Sequence, residues 1–218
     1  MKKVFAFAAA VLIFAGMAKA QLGVNVGYAP QTYTSTYTNG NNSNTTTSSM
    51  TGLFAGVNYN TPLSGALNVS VGLQGRFNTS GDTTNANVVV ASGSVKTKNT
   101  QLLLDVPVLL NYGFNLGSAA KLSVFAGPTI SYALMGKTKT VTTVTVLGNS
   151  TTNESESDWY GDNSNRKNLD VSATLGVVLS YNQFRLFGGY NMGLLNLTSA
   201  DNTTLKGSNV FFGVGMAL

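Results

Sequence analysis

Five charged residues stand where the chain otherwise alternates between large apolar and small or polar side chains: Arg76, Asp105, Lys121, Asp170 and Arg185. Each falls on the small, polar parity of its segment, so all five point to the same side of a sheet. Two carboxylates and three cations in one confined space suit a polar ion path or an interior salt-bridge network. They do not suit acid–base or nucleophilic catalysis, because the chain contains no histidine and no cysteine. Serine is plentiful, but a serine hydroxyl without a base beside it is a weak nucleophile. The stretch Asn153–Asp162 carries Glu154, Glu156, Asp158 and Asp162. Its glycine comes too late for a calcium loop of the EF-hand pattern, and it reads as a solvated acidic loop. Tyr33, Tyr37, Trp159 and Tyr160 lie in polar breaks as contact anchors. The chain is read as no enzyme, with no catalytic, metal or cofactor residues.

The elements that must position these charges are strands. From Gln21 onward, alternating segments recur eight times, as in Leu53/Ala55/Val57/Tyr59 opposing Phe54/Gly56/Asn58. The C-terminal segment shows the pattern most purely. Val210, Phe212, Val214, Met216 and Leu218 share one face; Phe211, Gly213, Gly215 and Ala217 share the other. A bulky face with no polar residue suits lipid, and a face of small residues suits a narrow lumen. The breaks near 61–66, 113–120 and 182–183 are short, whereas those near 31–50, 78–98, 136–168 and 199–206 are mostly long and polar. Short turns on one rim and long loops on the other describe an up-and-down barrel. Tyr59, Tyr112, Phe114, Tyr181 and Phe184 sit beside the short turns, and Tyr28, Phe77 and Tyr132 towards the long ones, as two interfacial belts would. The fold class expected is all-β: an eight-stranded antiparallel up-and-down transmembrane β-barrel.

Composition points the same way. Charged residues make up 10% of the chain, against about 25% in soluble domains. Lys2 and Lys3 ahead of the apolar run Val4–Met17, then Ala18-Lys19-Ala20, read as a cleaved secretory signal peptide over residues 1–20. Residues 21–218 form the barrel domain. Its cleavage removes Lys2, Lys3 and Lys19, so the formal charge of +5 is partly the leader's, and no nucleic-acid partner is inferred.

Pro107 and Pro128 lie inside expected strands, where each forfeits a ladder hydrogen bond. A bulge or a locally unpaired carbonyl is expected at both. Val141–Leu147 and Asn87–Ala91 are rich in β-branched residues outside the eight segments. They predict strands that continue past the bilayer as a protruding sheet, whose open edges can take up a partner strand.

Leu102-Leu-Leu-Asp-Val-Pro-Val-Leu-Leu-Asn-Tyr112, followed by Phe125-Ala-Gly-Pro-Thr-Ile-Ser-Tyr132, resembles the paired motif of the small outer-membrane β-barrel proteins of the Bacteroidetes, the porin-family or outer-membrane-protein β-barrel domains. Gly189–Asn196 is similar to that family's seventh strand, except that the family often has arginine where Gly189 stands. The C-terminal strand resembles the targeting strand of such barrels, although it ends on Leu218 rather than an aromatic residue. The resemblance implies a fold and a place in the Gram-negative outer membrane. Outer-membrane lipid and the barrel assembly machinery are the partners expected from it. The function read from these features is structural or adhesin-like, through protruding extracellular loops and an extracellular protein or glycan. A narrow porin-like channel is the first alternative, and a soluble periplasmic or secreted β-protein the second.

Overall fold

The computed structural model describes residues 21–88, 91–147, 149–161 and 164–218. The targeting segment expected over residues 1–20 lies outside them, as do Val89, Val90 and Asp162. Ten strands form one antiparallel sheet: β1 Gln21–Tyr28, β2 Gln31–Asn39, β3 Asn42–Ser64, β4 Leu67–Val88, β5 Ala91–Asn115, β6 Ala120–Val146, β7 Asn149–Asp158, β8 Leu169–Tyr181, β9 Phe184–Gly193 and β10 Thr203–Ala217. They build eight staves. β1 and β2 both lie between β10 and β3 and are one stave, interrupted at Ala29-Pro30, where proline has no N–H for the ladder. β7 and β8 both pair with β6, one beyond the other, and make a second divided stave. The ring closes where β1 pairs with β10, with Val26 opposite Val214.

Closure turns alternation into two surfaces. The outer one is apolar: Leu53, Leu175 and Phe212 are 61%, 57% and 57% exposed, an arrangement stable only against lipid. Tyr112, Phe114, Tyr181 and Phe184 ring the short-turn rim of this face, and Phe77, Tyr132 and Tyr190 its other border. Inside, size is matched across strands. Phe54, Phe125, Phe211 and Phe187 point inward, directly opposite Gly27, Gly176, Gly189 and Gly213. A β-carbon at any of these four glycines would fall 2.4–2.8 Å from the facing ring. Each ring therefore lies on bare backbone, and the rings meet at centroid distances of 6.1–6.5 Å.

Pro107 and Pro128 interrupt hydrogen bonding without shifting register. The β5–β6 ladder skips from Pro107↔Thr129 to Leu110↔Ala126, and the β4–β5 ladder from Val71↔Val108 to Gln74↔Asp105. The locally unpaired alternative holds, and the bulge does not form at either proline. Gly72 faces Pro107, and Gly127 brings its backbone against the Val108 carbonyl. The register shift on β5–β6 lies away from both prolines, between Leu102 and Leu103.

The long breaks are where sequence expectation and structure part. Residues 31–39, 42–50, 78–88, 91–98 and most of the described part of 136–168 are strand rather than loop. β2 and β3 pair from Gln31↔Met50 to Asn39↔Asn42, β5 and β6 pair out to Ala91↔Val146, and β7 continues the sheet. These segments carry threonine and serine on both faces, because both faces meet water, so the apolar period vanishes while β-propensity remains. Cross-strand hydroxyl pairs mark the register: Thr36–Thr45 at 3.1 Å, Thr143–Thr152 at 3.1 Å and Thr145–Ser150 at 2.8 Å. The protruding sheet foreseen at Val141–Leu147 is thus present as four strands, β4 to β7. It rises roughly 35 Å along β6 beyond Met135 at ~3.3 Å per residue.

Candidate functional site

The barrel interior is divided into a packed upper tier, towards the long hairpins, and a cavity below it. The parity that places Asp105 inward on β5 places Arg76 inward on β4. Their buried side chains form a two-pronged ion pair: Arg76 Nε donates to Asp105 Oδ2 at 2.8 Å and Nη2 to Oδ1 at 3.2 Å. Arg76 Nη1 also donates to Gln31 Oε1, and Gln31 Nε2 donates to the Ser208 carbonyl at 3.3 Å. The pair thereby ties β2, β4, β5 and β10 together. Asp170 faces the same tier from β8, with Oδ1 buried and without a hydrogen-bond partner.

Directly above, Asn78 and Gln101 are fully buried. Gln101 Oε1 accepts from Tyr33 Oη at 2.8 Å and from Asn78 Nδ2 at 3.1 Å, while Gln101 Nε2 donates to Tyr160 Oη at 2.6 Å. Arg166 stacks its guanidinium 4.3 Å from the ring centres of both Tyr33 and Trp159. Met50, Tyr33 and Leu197 form a buried apolar cluster with Trp159 and Leu205 against it. These contacts stopper the barrel at its long-hairpin end.

Among the four aromatic residues read as surface anchors, only Tyr37 is well exposed, at 49%. Tyr33 is a correction: it lies inside the stopper, because the inward parity of Gly23, Asn25 and Gly27 carries through Gln31 to Tyr33. Trp159 and Tyr160 are half-buried; Trp159 Nε1 donates to Thr138 Oγ1 at 2.6 Å. The acidic stretch is also corrected. Asn149–Asp158 is strand β7, not a loop, and its carboxylates face lysines of β6: Lys139–Glu154 at 2.7 Å, Lys137–Asp158 at 3.7 Å and Lys137–Glu156 at 3.9 Å. The hydrogen bond that Lys139 donates to Glu154 holds its ammonium above the ordinary lysine pKa. No group of three or more metal-ligating side chains occurs among the described residues.

Below the ion pair, a cavity of about 560 Å³ opens at the short-turn end. Arg76, Asp105 and Thr129 lie at its top, Asn25, Asn58 and Asn111 along its walls, and Gln21, Asn182 and Gln183 at its mouth. Lys121 and Arg185 also line it, so the five inward charges are split: Arg76, Asp105 and Asp170 share the upper tier, and Lys121 and Arg185 stand apart below. On the outer face, Val210, Phe212 and Val214 are 54–57% exposed, Met216 is half-buried, and Leu218 is exposed at the rim. Gln31 of the upper tier and Asn78, Met50 and Arg166 of the stopper have no individual place in the sequence reading. Parity extended from Gly27 reaches Gln31, whereas Arg166 lies in the irregular segment between β7 and β8 and carries no periodic signal.

The family model described as outer membrane protein beta-barrel domain matches residues 14–199. No curated protein matches the chain. Among solved structures, Ail, the attachment invasion locus protein of Yersinia pestis, is similar at 12% identity, covering 91% of this chain and 99% of that one with a TM-score of 0.35. Neisserial surface protein A is similar at 12% identity over 88% and 96%, with a TM-score of 0.37. The Escherichia coli outer membrane protease OmpT is similar at 7% identity over 91% and 97%, with a TM-score of 0.39. A closed ring of eight staves with an apolar outer face, matched over most of its length by that family model, has one assignment: this chain belongs to the outer membrane protein β-barrel domain family and sits in the cell outer membrane.

Proposed function

We propose that the protein is a non-enzymatic surface-interaction barrel that engages an extracellular protein or glycan through its protruding strands. One observation carries this reading. The wall does not stop at the lipid border but continues as a four-stranded sheet with unpaired edges. The β3–β4 ladder ends at Thr51↔Thr79, so β4 beyond Thr79 has an open edge towards β3. β7 pairs only with β6 and offers the second. Open N–H and C=O groups at a sheet edge can be completed by an extended segment of a partner. The acidic residues of β7 restrain indiscriminate edge-to-edge pairing. Absence of histidine and cysteine supports the non-enzymatic part. The stopper of Tyr33, Gln101, Tyr160 and Arg166 argues against the narrow-channel alternative, since the cavity ends beneath it.

The test is removal of residues 139–156, which takes both strands of the β6–β7 tip together and leaves the lipid-facing span intact. Cells displaying this variant should retain heat-modifiable migration of the barrel on gels but lose most adhesion to surfaces coated with extracellular-matrix protein or glycan. Adhesion equal to that of the unaltered protein would remove the proposal.

A further inference from the structure

The two cations left out of the upper tier have no role in the ion-pair network or in the protruding sheet. Lys121 lies opposite Ser180 on β8, and Ser180 lies opposite Arg185 on β9. The three thus occupy one row across three adjacent strands, all lining the cavity close to its mouth. At a strand spacing of ~4.8 Å the α-carbons of Lys121 and Arg185 stand about 10 Å apart, with the Ser180 hydroxyl between them. The next position in the row, on β10, is Gly215, whose missing side chain leaves the floor of the row open.

Neither cation is neutralised. Lys121 makes no ion pair among the described residues, and its aliphatic chain rests over the bare backbone of Gly113, where a β-carbon would fall 2.0 Å from its Cε. Arg185 has one weak contact, Nη2 to Gln21 Oε1 at 3.4 Å. Among the described residues, Asp105 is the cavity's only acidic side chain, and it is already engaged by Arg76. Leu218, on the same rim, forms no ion pair with either. Two unpaired positive charges in a cup with low-dielectric walls concentrate the field inside it and draw in anions. A partly desolvated cation that lacks a fixed counter-charge gains by taking one up. The surrounding amides of Asn25, Asn182 and Gln183 can donate or accept without adding charge.

We infer that the periplasm-facing cup is a binding site for an oxyanion, a phosphate or carboxylate group, held by Lys121, Ser180 and Arg185 and admitted only from the periplasmic side. The arginine fork supplies two parallel donors to a planar pair of oxygens, the ammonium a mobile point charge, and the serine a neutral donor. The Arg76–Asp105 pair and the stopper above it close the cup from the cell exterior. The site is a blind receptor pocket for an acidic group in the periplasm, independent of the surface strands.

The experiment uses the barrel of residues 21–218, isotope-labelled and refolded in detergent micelles, with amide resonances followed by NMR. Sodium phosphate is titrated in one arm and sodium acetate in the other, both against sodium chloride at constant ionic strength. Saturable shifts confined to the amides of Lys121, Ser180, Arg185 and Gly215 are expected with at least one of the two, and the arm that saturates at lower concentration identifies the group. Arg185→Gln should weaken that binding about tenfold or more, and the double variant Lys121→Gln/Arg185→Gln should abolish it. Arg185→Lys, which keeps the charge, serves as the folded control if the double variant does not refold. Shifts that rise linearly in both arms, or that are the same in Arg185→Gln as in the unaltered protein, would overturn the inference.

Discussion

Replacing Asp105 by alanine should destabilise the folded barrel by about 3–5 kcal/mol, because it strands the Arg76 guanidinium without its carboxylate in a buried tier. Both side chains are only 6% exposed, so the water of the cavity beneath screens little of the loss. The Nε and Nη2 donors lose their acceptors at once, and Gln31 offers only one neutral oxygen, to Nη1. Asp170 faces the tier from the opposite wall but makes no hydrogen bond to Arg76 among the described contacts. Urea unfolding in lipid vesicles, followed by the loss of heat-modifiable migration, measures the difference. Removal of both charges tells the origin of the cost. Arg76→Met with Asp105→Leu should recover most of the stability, because an apolar pair of similar volume leaves nothing uncompensated. If the single and double variants were equally damaged, the tier would owe its stability to packing rather than to the charge pair.

The second large effect belongs to the other surface. Val214 lies midway along the apolar face of β10, between Val210 at the upper border and Leu218 at the rim, and is 54% exposed. Val214→Lys should cost about 2–4 kcal/mol in vesicles, the penalty for a lysine near the bilayer midplane. A matched lysine on the inner face should be far milder where there is room for it. Gly213, the neighbouring inward position, is not such a place. Its β-carbon would fall 2.5 Å from the Val26 carbonyl and 2.8 Å from the Phe187 ring. Ser70 lines the water-accessible cavity, and Ser70→Lys should change the unfolding midpoint by less than a quarter of the Val214→Lys effect. Equal losses would mean that the two faces do not differ in solvent.

The fold is legible in the sequence wherever a segment meets two different media. Gln101–Tyr112 crosses lipid on one side and a polar lumen on the other, so its parity places Asp105 and Gln101 on the inner face. Thr34–Thr47 meets water on both sides. Its alternation therefore carries no hydropathy signal, and a hairpin reads as a loop. The same blindness turned Glu154, Glu156 and Asp158 into a loop, although they are the partners of Lys137 and Lys139 on a neighbouring strand. Parity assigns an inward face but no height along the barrel axis. Arg76, Asp105, Lys121, Asp170 and Arg185 are equivalent by that criterion, and strand tilt and register separate them into a paired tier and an unpaired cup. The stopper depends on Arg166, in an irregular segment, meeting Tyr33 from the other end of the chain. That contact is set by closure of the ring.

The most direct test of the barrel itself is to place a single tryptophan on either side of one peptide bond. Trp159 is the only tryptophan in the chain, so Trp159→Phe provides a silent background. Phe212 is 57% exposed on the outer face, and Phe211 packs inside between Phe125 and Phe187. In vesicles of bromine-labelled lipid, fluorescence from Phe212→Trp should be strongly quenched and that from Phe211→Trp left nearly unchanged. Equal quenching of the two, or stronger quenching at 211, would contradict an eight-stave barrel with this face towards lipid.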